Sequence, residues 1–112
     1  MRAGFLGTPS AAIPTLAALV DVADVAVVVT RPDAARGRSG KKSAPPIKAA
    51  AAEWGLPVAQ PATHRELHDV LTAHQIDLGV VVAYGRILRP EVLAVPRYGF
   101  LNVHFSLLPR WR

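Results

Sequence analysis

The chain contains no cysteine. A disulfide framework, a thiolate metal site and thiol redox chemistry are therefore excluded, in keeping with a reducing cytoplasm. Long hydrophobic runs are missing too. The longest apolar stretches, around Val25 to Val29 and Leu78 to Ala83, fall far short of the roughly 18 residues that a membrane span requires, so no membrane partner is expected. Arg2 and the small apolar residues after it have the outline of a secretory leader, but Pro9 and Pro14 interrupt the apolar region, and strand and helix are the better reading. A glycine-rich phosphate cradle is also lacking. Gly4-Phe5-Leu6-Gly7 follows a first predicted strand, yet the fingerprint G-x-G-x-x-G is incomplete, which favours a tight turn over a bound dinucleotide. There is no internal repeat. Acidic residues are few, 8 against 13 lysines and arginines, for a formal net charge of +5, which points to an anionic partner or simply to solubility.

What is present is the composition of an ordinary soluble α/β domain. Its 112 residues, 51% hydrophobic and 19% charged, suit one core and leave no room for a second domain. Arg2 to Leu6 reads as a strand, with Thr8 as a helix N-cap and Pro9 at the first helical position. In the helix that follows, Ile13, Leu16 and Val20 share a face. Val25 to Val29 reads as a buried strand. Pro45 and Pro46 open a second helix, on which Ile47, Ala50, Ala51 and Trp54 share a face and which Gly55 stops. After a short strand near Pro57 to Ala59, Thr63-His64-Arg65-Glu66 forms a capping box for a helix with a stripe of Leu67, Val70 and Leu71. Asp77 to Val82 is a fourth strand, Pro90 to Val95 a helical turn and Gly99 to Val103 a fifth strand. Such alternation predicts a Rossmann-like, mostly parallel sheet with helices on both faces. The loops after strands one, two, four and five then meet at one edge, which is the expected ligand site. Pro109-Arg110-Trp111-Arg112 supplies no covering helix, so residues 1–112 are expected to be an α/β domain truncated on its C-terminal side.

Three segments on that edge carry chemistry. Asn102 on the fifth strand and His104 just past its end lie two apart, and the period of two along a strand predicts them on one face. An asparagine amide donates to an oxyanion forming at a carbonyl, and an imidazole takes a proton from an attacking amine. Taken alone, the pair also fits a structural hydrogen bond. Between Thr30 and Lys48 the chain carries Arg31, Arg36, Arg38, Lys41, Lys42 and Lys48 against only Asp33. This predicts a mobile basic loop, either solvated or contacting phosphates through counterion release. Without interleaved aromatics it is no platform for stacking single-stranded bases. Ala83-Tyr84-Gly85-Arg86-Ile87-Leu88-Arg89-Pro90 follows a buried strand, and its backbone groups are available to a flat heterocycle. His64 and His68 have metal-ligand spacing but no completing acid or thiol, so they read as solvent-facing helix residues and no metal is assigned. His74, at the end of that helix, suits its dipole.

The string Asn102-Val103-His104-Phe105-Ser106-Leu107-Leu108-Pro109 closely resembles the signature of enzymes that transfer formyl from 10-formyltetrahydrofolate. With Gly7-Thr8-Pro9, Thr30-Arg31-Pro32-Asp33 through Gly40-Lys41-Lys42, Val81-Val82-Ala83-Tyr84-Gly85 and Pro109-Arg110-Trp111-Arg112 in order, the whole chain resembles the methionyl-tRNA formyltransferase family. The resemblance implies a cytoplasmic bacterial protein of translation initiation, expected to be a monomer, that formylates initiator methionyl-tRNA. It implies that Asn102 and His104 are catalytic. Ser106, Leu107, Leu108 and Pro109, with Tyr84, Gly85, Arg86, Ile87 and Leu88, would bind the 10-formyltetrahydrofolate, and Arg36, Arg38, Lys41 and Lys42 the tRNA. It also implies a third catalytic residue, an aspartate beyond Pro109, so the chain alone is expected to be inactive. Ala11 departs from the aromatic often found at that position, and the basic loop carries an extra residue near Arg36 to Ser39. The last motif is shared with formyltransferases acting on phosphoribosylglycinamide or amino sugars, which leaves a small-amine enzyme, or a silent folate- or RNA-binding module, as the alternatives.

Overall fold

A computed structural model describes residues 1–35 and 42–104. Strand β1 (Arg2–Gly7) leads through a 3-10 turn at Ser10–Ala12 into helix α1 (Ile13–Val22) and strand β2 (Asp24–Val29). A short pair follows, β3 (Ala34–Ala35) and β4 (Lys42–Ser43), then helix α2 (Pro46–Glu53), strand β5 (Val58–Ala59) and helix α3 (His64–Ala73). Strand β6 (Leu78–Val82), the single turn α4 (Pro90–Leu93) and strand β7 (Phe100–Asn102) complete the described elements. Five strands lie side by side in the order β5-β2-β1-β6-β7, every neighbouring pair parallel. The fold is thus the Rossmann-like α/β sheet expected from the alternation of elements.

Period-two alternation splits each strand between two cores. Leu6, Val27, Val29 and Val81 pack with Leu67 and Leu71 of α3 and Val92 of α4 on one face. Phe5, Val28, Val80 and Val82 pack with Leu16 of α1 and Ile47 and Ala51 of α2 on the other. Burying each of these leucines contributes about 1.5–3 kcal/mol relative to exposure. Helix α3 begins as its sequence dictates, with the Glu66 N–H donating to Thr63 Oγ1 at 3.1 Å and Glu66 Oε1 accepting from the Ala62 N–H at 3.2 Å.

Four local expectations change. Thr8 does not cap α1, because its hydroxyl is spent across the sheet on the Tyr84 carbonyl; α1 starts at Ile13 instead, with Pro14 in its first turn. The stripe on α1 runs through Leu16 and Leu19, leaving Val20 exposed. Trp54 is exposed because α2 ends at Glu53 and the backbone departs from helix at Trp54 before the turn at Gly55, where φ is +70°. The basic segment is not wholly loop: β3 and β4 pair antiparallel as Ala34 with Ser43 and Ala35 with Lys42.

β7 is held to β6 by register pairs Gly79–Phe100, Val80–Leu101 and Val81–Asn102. The absence of a side chain at Gly79 is what lets β7 dock, since a Cβ there would collide with the Phe100 ring. Among the described residues, no helix is long and apolar enough to cross a membrane.

Candidate active site

All five parallel strands point their C-terminal ends to one edge, and the strand order reverses between β1 and β6, where open α/β sheets form a ligand crevice. Side chains tie this switch point together. Thr8 Oγ1 donates to the Tyr84 carbonyl at 2.9 Å, and Arg31 Nη1 donates to the Gly85 carbonyl at 2.7 Å. Gly85 has φ +88°, and Ala83, a residue with a Cβ, has φ +51°. Gly85 adopts that conformation without strain, whereas at Ala83 it persists only where the surroundings enforce it, and the two tied carbonyls follow directly after Ala83. The Tyr84 ring is buried in the core beneath it. Its hydroxyl is buried with no hydrogen-bond partner among the described residues. Burial pushes the Tyr84 phenol above its ordinary pKa, against the pull of the Arg86 and Arg31 charges.

The root of the β3–β4 hairpin is braced to the same edge. Gln60 Nε2 donates to the Arg31 carbonyl at 3.1 Å and to Asp33 Oδ1 at 2.6 Å, and Lys48 Nζ reaches Asp33 Oδ1 at 3.3 Å. The hydrogen bond from the Gln60 amide is the largest single cause that lowers the Asp33 pKa from the ordinary carboxylate value, with Lys48 and Lys42 adding to it and desolvation opposing. Arg86 Nη1 donates to the Pro61 carbonyl at 3.4 Å. Thr8, Arg31, Gln60 and Lys48 do not read as a set in the sequence, since their partners are backbone carbonyls and one carboxylate from two segments, 31–33 and 84–85. Thr8 and Asp33 sit in motifs that resemble the family's, which was the only available signal.

One strand over, between β6 and β7, opens a cleft of about 440 Å³ lined by Val81, Arg86, Ile87, Leu88, Leu93, Phe100 and Asn102. Arg86, Ile87 and Leu88 of the segment 84–88 thus line one cleft with Asn102, whereas Tyr84 and Gly85 are not among its lining residues. Ile87 and Leu88 supply apolar wall. Asn102 is exposed and, paired with Val81, shares the sheet face of α3 and α4. The Val103 N–H still bonds the Val81 carbonyl at 2.8 Å, and the Val103 side chain packs in the opposite core. β7 ends at Asn102, and His104, two residues on, is exposed and is not among the residues that line the cleft. Chemically, the cleft offers an apolar slot for a flat ring, a guanidinium at one wall and an amide donor at its mouth.

Of the expected tRNA-binding residues, Lys42 is exposed on β4; Arg36, Arg38 and Lys41 lie outside the described residues, as do Ser106, Leu107, Leu108 and Pro109. Two charges of the basic segment are engaged within the fold, Arg31 by the Gly85 carbonyl and Lys48 by Asp33. His64 is half-buried rather than solvent-facing, with Nδ1 buried and unpaired among the described residues, and the His74 carbonyl accepts from Arg2 Nε and Nη2 at 3.1 and 2.7 Å. Among the described residues there is no cluster of three or more potential metal ligands.

A family model described as formyl transferase matches residues 6–112. The chain belongs to the formyl transferase family. The chain is 49% identical over 116 residues to the methionyl-tRNA formyltransferase of Cutibacterium acnes and 51% identical over 117 residues to that of Synechococcus elongatus. Both alignments cover all of it, and it spans only 37% and 36% of those relatives' lengths. Its fold is also similar to that of glycinamide ribonucleotide transformylase 1 from Symbiobacterium toebii, with a TM-score of 0.71 at 24% identity over 97% of this chain and 53% of the other.

Proposed function

We propose that this chain is the front portion of the catalytic domain of a methionyl-tRNA formyltransferase, whose full-length protein moves a formyl group from 10-formyltetrahydrofolate to the amino group of initiator methionyl-tRNA in the bacterial cytoplasm. The observation that carries this reading is the apolar cleft with Asn102 at its mouth, in a chain similar along its whole length to methionyl-tRNA formyltransferases. The donor's heterocycle enters between Ile87, Leu88 and Phe100, and its formyl carbonyl lies at the rim near Asn102.

Attack by the methionyl nitrogen on the formyl carbon converts a neutral carbonyl into an oxyanion. The Asn102 amide donates to that oxygen, an interaction strongest in the tetrahedral intermediate. His104 takes the proton that the amine loses. Collapse of the intermediate breaks the bond to the folate nitrogen, which takes up the proton held by His104, leaving N-formylmethionyl-tRNA and tetrahydrofolate. Ser106, Leu107, Leu108 and Pro109 complete the donor site with the backbone of residues 84–88, and Arg36, Arg38, Lys41 and Lys42 grip the acceptor stem. The protein acts as a monomer, and no metal takes part.

The test is formyl transfer by the full-length protein to methionyl-tRNA and, separately, to phosphoribosylglycinamide. Transfer to the tRNA, lowered about 10²–10³-fold in kcat by Asn102→Ala, is the expected result. A Lys42→Glu variant should weaken the tRNA reaction most at low salt and leave it less salt-dependent than the parent. Activity on the small amine alone, indifferent to Lys42, would replace the tRNA reading with a small-molecule enzyme.

A further inference from the structure

Arg31 reads in the sequence as one charge of the basic segment, yet its side chain is engaged by the turn after β6. Its Nη1 donates to the Gly85 carbonyl at 2.7 Å. Its own carbonyl is gripped by Gln60 Nε2, Gln60 is held by Asp33, and Asp33 by Lys48. Its Nε is buried with no hydrogen-bond partner among the described residues, so the guanidinium is seated at a desolvation cost that a freely solvated surface arginine would avoid. Both ends of the residue are therefore anchored, one at the hairpin root and one at the turn after β6.

We propose that Arg31 is a positioning residue for the cleft between β6 and β7. This rests on the reading of that cleft as the formyl-donor site. In a trans peptide the C=O and N–H point in opposite directions. Fixing the Gly85 carbonyl on Arg31 turns the Arg86 N–H the other way, and fixing the Tyr84 carbonyl on Thr8 does the same for the Gly85 N–H. Two successive peptide planes at the head of residues 84–88 are thereby set before any ligand arrives. The turn they hold passes through φ +88° at Gly85, and a Cβ there would sit 3.0 Å from Arg31 Nη1. Residues 86, 87 and 88, which line the cleft, inherit their direction from that turn. Arg31 thus touches neither the reacting atoms nor the donor; it decides how the wall that meets the donor is aimed.

The experiment is steady-state kinetics on the full-length protein, with separate KM values for 10-formyltetrahydrofolate and methionyl-tRNA and a melting curve for each variant. Arg31→Ala is expected to raise the KM for 10-formyltetrahydrofolate by about tenfold or more, the scale of a lost charge-assisted hydrogen bond that orients a binding wall, while the KM for tRNA stays the same. Arg31→Lys, which keeps one charged donor, should recover part of the loss. Gly85→Ala should raise the same KM by crowding the guanidinium, and these two variants carry the test should Arg31→Ala not fold. A lower melting temperature with both KM values unchanged would overturn the assignment, reducing Arg31 to a structural brace. A salt-dependent rise in the tRNA KM alone would overturn it in favour of a phosphate contact. Leu88→Ala separates this proposal from the one beneath it. If Leu88→Ala weakens donor use and Arg31→Ala does not, only the role of Arg31 falls; if Leu88→Ala also has no effect, the cleft is not the donor site and both readings fall.

Discussion

Two regions on one edge of the same sheet are built by opposite means. At the switch point between β1 and β6, Thr8 and Arg31 lock consecutive backbone carbonyls, Tyr84 is buried and left-handed residues are held in place. At β7, a three-residue strand is held mainly by its backbone ladder and by Phe100 lying over Gly79, while Ile87, Leu101, Asn102 and His104 stand exposed. Under the proposed function the difference separates scaffold from chemistry: the groups that fix geometry are tied to backbone carbonyls of another segment, and the groups proposed to meet the two substrates stand exposed.

The sharpest way to test that division is His104→Ala in the full-length protein. Kinetics should show a loss of about 10²–10⁴-fold in the rate of transfer, while the melting curve moves little because an exposed side chain contributes about 0.5 kcal/mol or less to stability. Comparable losses of rate and stability would break the comparison, since His104 would then belong to the scaffold. Leu71→Ala is the counterpart on the scaffold side, and denaturant unfolding should register a cost of about 2–5 kcal/mol from the cavity left under α3. Between the two regions lies Gly79→Ala, which drives a methyl into the Phe100 ring. It should cost about 1–3 kcal/mol, with hydrogen exchange accelerated first at Val103, whose amide bonds β6.

Smaller effects probe the periphery. Thr63→Ala removes the α3 cap and should cost about 1 kcal/mol in the same unfolding measurement. Asp33 has its pKa lowered in the folded protein, first by Gln60 and then by Lys48, with desolvation opposing. Its contribution is therefore complete above the ordinary carboxylate pKa and is lost as pH falls through the lowered folded value. Amide exchange at the hairpin root should quicken over that acid range in the parent protein and lose this pH dependence in Asp33→Asn; an unchanged profile would show that the Gln60 and Lys48 contacts do not hold the hairpin.

Much of the fold was legible locally. The Thr63 capping box, the Leu67 and Leu71 stripe and the β-branched runs at Val25 to Val29 and Leu78 to Val82 each state their own structure, because capping and hydrophobic periodicity act over a few residues. The misreadings have the opposite cause. Thr8 has all the local credentials of an N-cap, and only a carbonyl 76 residues away outcompetes the helix for its hydroxyl. Arg31 reads as one charge in a basic run until the Gly85 carbonyl is brought within reach. The candidate site was legible as residue types, an amide near an imidazole after a strand and an apolar segment after another, but not as a place.

By itself, then, the sequence determined the order and kind of the elements, the two-faced packing of the sheet and the residue types available for acyl transfer, all of which follow from composition and short-range periodicity. Only the tertiary structure decided that Asn102 and Leu88 border one cleft, that Thr8 and Arg31 serve the turn after β6, and that His64 is half-buried. Each of those depends on which strands become neighbours, and strand order joins residues far apart in the chain through contacts that no local pattern encodes.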